Sequence, residues 1–227
     1  MPLIITSRTR RKLLIRPHPP YVLNTDSAQA QGLVGWWPLG EPNGDVCLNY
    51  AGPLYNSFRL TQTGRMLIDP GPGGADFAKG NRASTANYLE TTAPLTAAPL
   101  SMGCWAYPID RTTKESTLFL SNISSNTDYF QLYLGGSANP KLVLATSEGG
   151  ETLAESLEEY AANIWQHCCA VCSTTTLRKT FLNGIGGVAD TASKTPASIG
   201  TLALNVSHIA SGIFNPFNGR IAHACVW

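Results

Sequence analysis

The sequence predicts an all-β protein: a two-sheet antiparallel jelly-roll sandwich over residues 32–227, preceded by an extended N-terminal arm over residues 1–31. Three observations predict it. Short runs free of Gly and Pro, most clearly the apolar run 165–172 and the run 177–182, suit strands buried on at least one face, with successive residues taking opposite sides. Such runs recur at intervals of roughly ten residues with turn residues between them, the spacing of a sandwich. The chain is only 14% charged and carries 21 Gly and 15 Pro, which suits many short strands and many turns. Its 227 residues are enough to bury one substantial core.

The arm differs from everything after it. Arg8, Arg10, Arg11, Lys12 and Arg16 precede the first acid, Asp26, and Pro17, Pro19 and Pro20 impose an extended path. Leu13-Leu14-Ile15 is too short for the apolar core of a secretory signal. The arm cannot bury enough of itself to fold alone. It is expected to be pinned, along its own sandwich or across a neighbouring subunit, with the five basic residues as the partner-binding set.

The first strand is expected in 32–39, with Trp36 and Trp37 facing opposite ways, and Pro42-Asn43-Gly44 reads as a turn. A polar, Gly-rich stretch ends in strand-like Asp76-Phe77, and further strands are expected at 87–91, 100–107, 117–121, 129–134 and 141–146. Residues 151–162 allow a short helix, weakened by Thr152 and by the strand that follows. In 165–172, Trp165, His167, Cys169 and Val171 take one face, and Gln166, Cys168, Ala170 and Cys172 the other. Ser173 to Thr176 is a turn signal. After the strand at 177–182, Asn183-Gly184 closes a hairpin, because both residues tolerate the positive φ of a type I′ turn. Residues 218–226 close the set.

The order GLVGWWPL, ANYLETT, LSMGCWAYP, NIWQHCCAV, LRKTFLNGIGG and FNGRIAHACVW resembles the laminin-G-like members of the concanavalin A-like lectin/glucanase superfamily. The resemblance spans 32–227. It implies the sandwich, and it implies that His167 and the cysteines of its strand are core positions. It leaves activity open, because this fold serves lectins, glycosidases, adhesion modules and structural proteins. His223 stands where the family usually has an acid, and the chain stops at Trp227 where relatives usually run on.

The residues point away from catalysis. Glycosidases need two carboxylates flanking the scissile bond, and no E-x-D-x-E pattern occurs. Glu151, Glu155, Glu158 and Glu159 cluster, but their spacings of four, three and one are read as failing to put two on one strand face, hence as a solvated edge. Asp45, Asp69, Asp76, Asp110 and Asp128 lie singly in or near expected loops. A calcium site gathered from distant loops is left open, and no other cofactor is expected. His167-Cys168-Cys169-x-x-Cys172 does not suit zinc, since Cys169 and Cys172 would point to opposite faces, nor a Cys-His nucleophile. The six cysteines read as buried free thiols made in a reducing compartment. His208 and His223 read as structural.

The remaining handle is aromatic. Tyr55 and Tyr129, with Asn122, Asn126 and Asp128 of the loop before Tyr129, form the candidate glycan-binding set, while Trp36, Trp105 and Trp165 are expected in the core. A net charge of +1, without aromatics interleaved among the basic residues, argues against nucleic acid. No apolar run approaches the roughly 18 residues of a membrane span. The expectation is a non-catalytic interaction protein of a symmetric assembly, a homo-oligomer or a capsid-decoration or tail component of a virion made in a host cytoplasm. The alternative is an extracellular carbohydrate-binding module.

Overall fold

The computed structural model describes residues 24–41, 46–54, 57–72 and 77–227. In chain order the strands are β1 (Gly35–Trp37), β2 (Val46–Cys47), β3 (Leu60–Thr63), β4 (Leu67–Pro70), β5 (Phe77–Arg82), β6 (Tyr88–Thr92), β7 (Leu100–Pro108), β8 (Glu115–Ser121), β9 (Tyr129–Leu134), β10 (Lys141–Ser147), β11 (Glu151–Glu159), β12 (Gln166–Thr174), β13 (Leu177–Leu182), β14 (Ile185–Gly186), β15 (Thr201–Leu204), β16 (Ser207–Ile209), β17 (Gly212–Phe214) and β18 (Asn218–Val226). Single 3-10 turns sit at Ala28–Ala30 and Gly52–Leu54. Among the described residues no helix is long and apolar enough to cross a membrane.

Sixteen of these strands form two antiparallel sheets, and β16 and β17 pair with each other as a separate hairpin. The first runs β14-β13-β12-β7-β18-β5-β4, with β1 also pairing β18. The second runs β11-β10-β9-β8-β15-β6-β3-β2. Between them lies the core. Met102, Cys104 and Ala106 of β7 and Cys168, Ala170 and Cys172 of β12 face Leu118 and Leu120 of β8, Leu132 and Leu134 of β9, and Leu142 and Leu144 of β10. The alternation in the sequence is therefore the alternation of faces. Trp37 is fully buried in this core, and its indole N–H donates to the Phe58 carbonyl at 2.9 Å, which removes the cost of burying that polar group.

The Asn183-Gly184 hairpin forms with both residues at positive φ, 52° and 85°. One side of the sandwich is fastened by Arg178, 1% exposed as a side chain. Its Nε and Nη2 donate to Asp190 Oδ2 at 2.9 and 2.7 Å, and Nη1 donates to the Thr175 carbonyl at 2.8 Å. The Val188 N–H donates to the Glu155 carbonyl at 2.9 Å, linking the end of the first sheet to β11 of the second. Gly187 is required at this link, because a Cβ there would collide with the Glu155 carbonyl oxygen.

The structure corrects several expectations. Residues 151–159 are an edge strand, not a helix: β11 pairs with β10 from Glu151↔Ser147 to Glu159↔Lys141, and its inward residues Ala154 and Ser156 are buried. Even spacings do share a strand face, so Glu151, Glu155 and Glu159 point the same way. Each has a partner, Lys114 at 3.3 Å, Lys141 at 3.7 Å and Arg111 at 3.1 Å. Trp36, Trp105 and His167 are not core residues. They lie half-buried on the outer face of the first sheet, where Trp105 packs on His167 at 5.4 Å and Trp36 on His223 at 6.4 Å. Trp165, also half-buried, packs against Tyr107 of that face at 5.6 Å. Position parity decides this: on β7 and β12 the even residues face the core. The strands β2, β3, β4, β15, β16 and β17 were not anticipated.

Candidate functional site

The second sheet has an outer face that solvent does not fully reach. The β16–β17 hairpin folds back across it, and the sequence shows why. Ile209 and Ile213 of the hairpin pack onto Phe119 of β8, Ala203 of β15 and Val206. The Ser121 hydroxyl donates to the His208 carbonyl at 2.7 Å, and the Ser211 N–H donates to Asn126 Oδ1 at 2.8 Å. His208 Nδ1 lies 3.2 Å from Glu90 Oε1. Thus β8 is buried on both faces, and a groove remains where the hairpin stops short of β9.

That groove is a cavity of about 250 Å³ lined by Lys114, Phe119, Tyr129, Gln131, Ser207, Ile209, Phe214 and Asn215. A second hollow of about 330 Å³ continues it, lined by Thr112, Tyr133, Gly135, Gly136, Ser137, Ala138 and Asn139, and again by Lys114. The strand β9 forms the floor of both. Its sequence YFQLYL sends Phe130, Leu132 and Leu134 into the core and leaves Tyr129, Gln131 and Tyr133 outward.

The polar atoms are prearranged. Gln131 Nε2 and Asn215 Nδ2 both donate to Ser207 Oγ, at 2.7 and 3.1 Å. A hydroxyl that accepts two bonds keeps its own proton for a third partner, and among the described residues no acceptor takes it. Gln131 Oε1 and Asn215 Oδ1 likewise make no hydrogen bond among the described residues. Asn215 holds its place with φ 48°, a conformation asparagine tolerates. The floor therefore carries a hydroxyl donor and two amide acceptors beside the rings of Phe119 and Tyr129, which pack at 5.1 Å.

The charged residues of the groove neutralise each other. Lys114 Nζ sits 3.3 Å from Glu151 Oε1 and 4.1 Å from the Tyr133 ring centroid. The Tyr129 hydroxyl donates to the same Glu151 oxygen at 2.8 Å. Burial, then the adjoining Glu151 carboxylate, raises both tyrosine phenols far above their ordinary range, so they remain neutral hydroxyls.

The structure brings together only some of the residues expected in a glycan site. Tyr129 lines the groove. Asn126 buttresses the hairpin that forms its wall. The Asn122 side chain accepts from the Ser124 N–H at 3.0 Å, capping its own loop. Asp128 accepts from the Ser125 hydroxyl at 2.7 Å and the Ala197 N–H at 3.1 Å, and these bonds, the hydroxyl first, hold its carboxyl below the usual range. Tyr55 and the basic set Arg8, Arg10, Arg11, Lys12 and Arg16 lie outside the described residues, as do Asp45 and Asp76. Of the arm, residues 24–31 are described, and the Gln29 carbonyl accepts from the Trp227 indole N–H at 2.7 Å.

The other chemistries considered from the sequence are dispersed. Cys168 and Cys172 face the core while His167 and Cys169 face outward. Among the described residues no three His, Cys, Asp or Glu side chains converge as a metal site. All six cysteines are free, and burial raises the thiols of Cys47, Cys104 and Cys172 to about 12 and that of Cys169 to about 11. Asp69 pairs with Arg220 at 3.5 Å. Asp110 caps Thr112, accepting from its N–H at 2.9 Å and from its hydroxyl at 2.7 Å.

Comparison with known proteins gives the same fold. No curated protein is significantly similar to the chain in sequence. Domain 4 of AbnA, a GH43 extracellular arabinanase from Geobacillus stearothermophilus, determined in complex with arabinotriose, superimposes with a TM-score of 0.68 at 15% identity, covering 86% of this chain and 91% of that one. Botulinum neurotoxin type C, from a structure concerned with its interaction with two ganglioside molecules, gives 0.61 at 12% identity over 87% of this chain and 48% of that one. The CBM40 of Ruminococcus gnavus IT-sialidase bound to α2,3 sialyllactose gives 0.50 at 14% identity over 59% and 76%. Residues 81–227 match the laminin-G-like family, and with that match over most of its length the chain belongs to the concanavalin A-like lectin/glucanases superfamily.

Proposed function

We propose that the protein is a non-catalytic carbohydrate-binding module and that it binds in the groove over β9. The observation that carries this reading is the Ser207 hydroxyl, which accepts two side-chain amides and keeps a free proton beside the Tyr129 and Phe119 rings. Aromatic walls with a few converging donors and acceptors are what a sugar needs, since its rings have an apolar face and a rim of hydroxyls. Three fold neighbours whose structures concern arabinotriose, a sialylated trisaccharide or gangliosides support it. No aspartate or glutamate lines either hollow, and Glu151 is a single carboxylate held by Tyr129 and Lys114; a pair flanking a scissile bond is the requirement for hydrolysis.

The virion-surface reading depends on Arg8, Arg10, Arg11, Lys12 and Arg16, outside the described residues, so glycan binding is the function carried forward. A glycan array with the full chain, followed by titration of the best ligand against the wild type and Tyr129→Ala, tests it. Binding that the substitution weakens is the expected result. Absence of binding to every glycan at millimolar concentration would refute it.

A further inference from the structure

We infer that this groove selects uncharged oligosaccharides that run along β9 across Lys114, and that Glu151 sets the selection by cancelling the Lys114 charge. The inference rests on the carbohydrate reading above. Its first support is the shape. The two hollows meet at Lys114, which lines both. From Tyr129 to Gly135 the floor extends about 20 Å at the rise of an antiparallel strand, longer than a single sugar ring.

The second support is the charge. Lys114 is the one ionised side chain among the residues lining either hollow. Its ammonium is engaged by Glu151 Oε1 at 3.3 Å and by the Tyr133 ring at 4.1 Å. The carboxylate is itself fixed, because the Tyr129 hydroxyl donates to it at 2.8 Å. What a ligand meets is a neutral set: the Ser207 hydroxyl, the Gln131 and Asn215 amides, and Thr112, Ser137 and Asn139 beyond the lysine. An acidic sugar placed against Lys114 would also lie against Glu151, and like charges brought together oppose binding.

Glu151→Gln tests this with little change of shape. The amide oxygen can still accept from Tyr129, while Lys114 loses its counter-ion. The experiment is an array of neutral hexose and pentose oligosaccharides and their uronate- or sialate-bearing counterparts, from mono- to tetrasaccharides. The best ligand of each kind is then titrated against the wild type, Glu151→Gln and Glu151→Gln/Lys114→Met. In the wild type, the neutral ligand binds roughly ten-fold tighter than its acidic counterpart, and affinity rises with chain length. Glu151→Gln strengthens binding of the acidic ligand roughly five-fold or more, the gain shrinks with added salt, and the double variant abolishes it. An unchanged ratio of acidic to neutral affinity in Glu151→Gln would overturn the role of Glu151 while leaving the glycan site standing. A monosaccharide that binds as tightly as its tetrasaccharide would overturn the extended groove. If no glycan of either kind binds wild type or variant, the carbohydrate reading itself falls.

Discussion

Glu115 is a carboxylic acid that the fold holds neutral. It opens β8, is fully buried, and sits opposite Leu134, a core residue of β9. Neither carboxyl oxygen has a hydrogen-bond partner among the described residues. Burial, reinforced by the Asp110 carboxylate, raises its pKa from 4.5 to about 8; the nearby Asn218 backbone N–H pulls the other way. The sign of the effect on stability follows from proton counting. Below pH 4.5 both folded and unfolded chains carry the proton, and there is no penalty. Between 4.5 and 8 the unfolded chain releases it and the folded chain keeps it, so stability falls as pH rises; above 8 the loss is complete. At about 1.4 kcal/mol per pKa unit the loss amounts to about 3 to 5 kcal/mol. Glu115→Gln retains shape and removes the titration. Urea unfolding followed by circular dichroism from pH 5 to pH 9 should show the stability difference moving by that amount in favour of the variant, a midpoint change on the order of 1 M. His167, whose pKa is lowered by burial, and the cysteines titrate in both proteins, so the difference curve isolates Glu115. A difference constant to within about 1 kcal/mol across this range would refute the reasoning.

Other perturbations have equally definite outcomes. Gln131→Ala should weaken glycan binding about ten-fold by removing an amide from the groove floor, with a stability loss of only about 1 kcal/mol because Asn215 still donates to Ser207; titration and a thermal scan check both, and unchanged affinity would place the ligand elsewhere. Arg178→Met should cost about 3 to 5 kcal/mol, since Asp190 would keep its charge with its main partner gone, and the double change Arg178→Met/Asp190→Leu should recover part of it in denaturant unfolding. Gly187→Ala should cost about 1 to 3 kcal/mol by forcing the backbone off Glu155, and hydrogen exchange should show the Val188 amide losing protection.

Much of the fold is legible where a strand keeps a period of two, as β13 does. The ranges 129–134, 177–182 and 218–226 coincide with β9, β13 and β18, although a register shift between Ala222 and Cys225 changes which parity of β18 is buried. The strand β15, TLAL, was missed because the hairpin covers its outer face and all four residues are buried, which erases alternation. β11 is hard to read because four glutamates at mixed spacing also suit a helix, although 151, 155 and 159 share one strand face. Size alone suggests core for Trp105, whereas parity along β7 and β12 puts Trp105 and His167 outside. Of the groove, only Tyr129 was anticipated, though Tyr129, Gln131 and Tyr133 stand on one face of a single strand and could have been read together. Ser207 and Asn215 could not, since they reach Gln131 only through a hairpin that crosses the sheet.

The position of β18 bears on how the chain comes to be folded. The last strand in sequence is central in space, hydrogen-bonded to β7, β5 and β1. Without β18, β7 keeps β12 and β5 keeps β4, but nothing joins these two halves, so the first sheet is complete only once residues 218–226 are in place. Pairings of such long sequence separation fold slowly, and until then exposed strand edges invite the wrong neighbours.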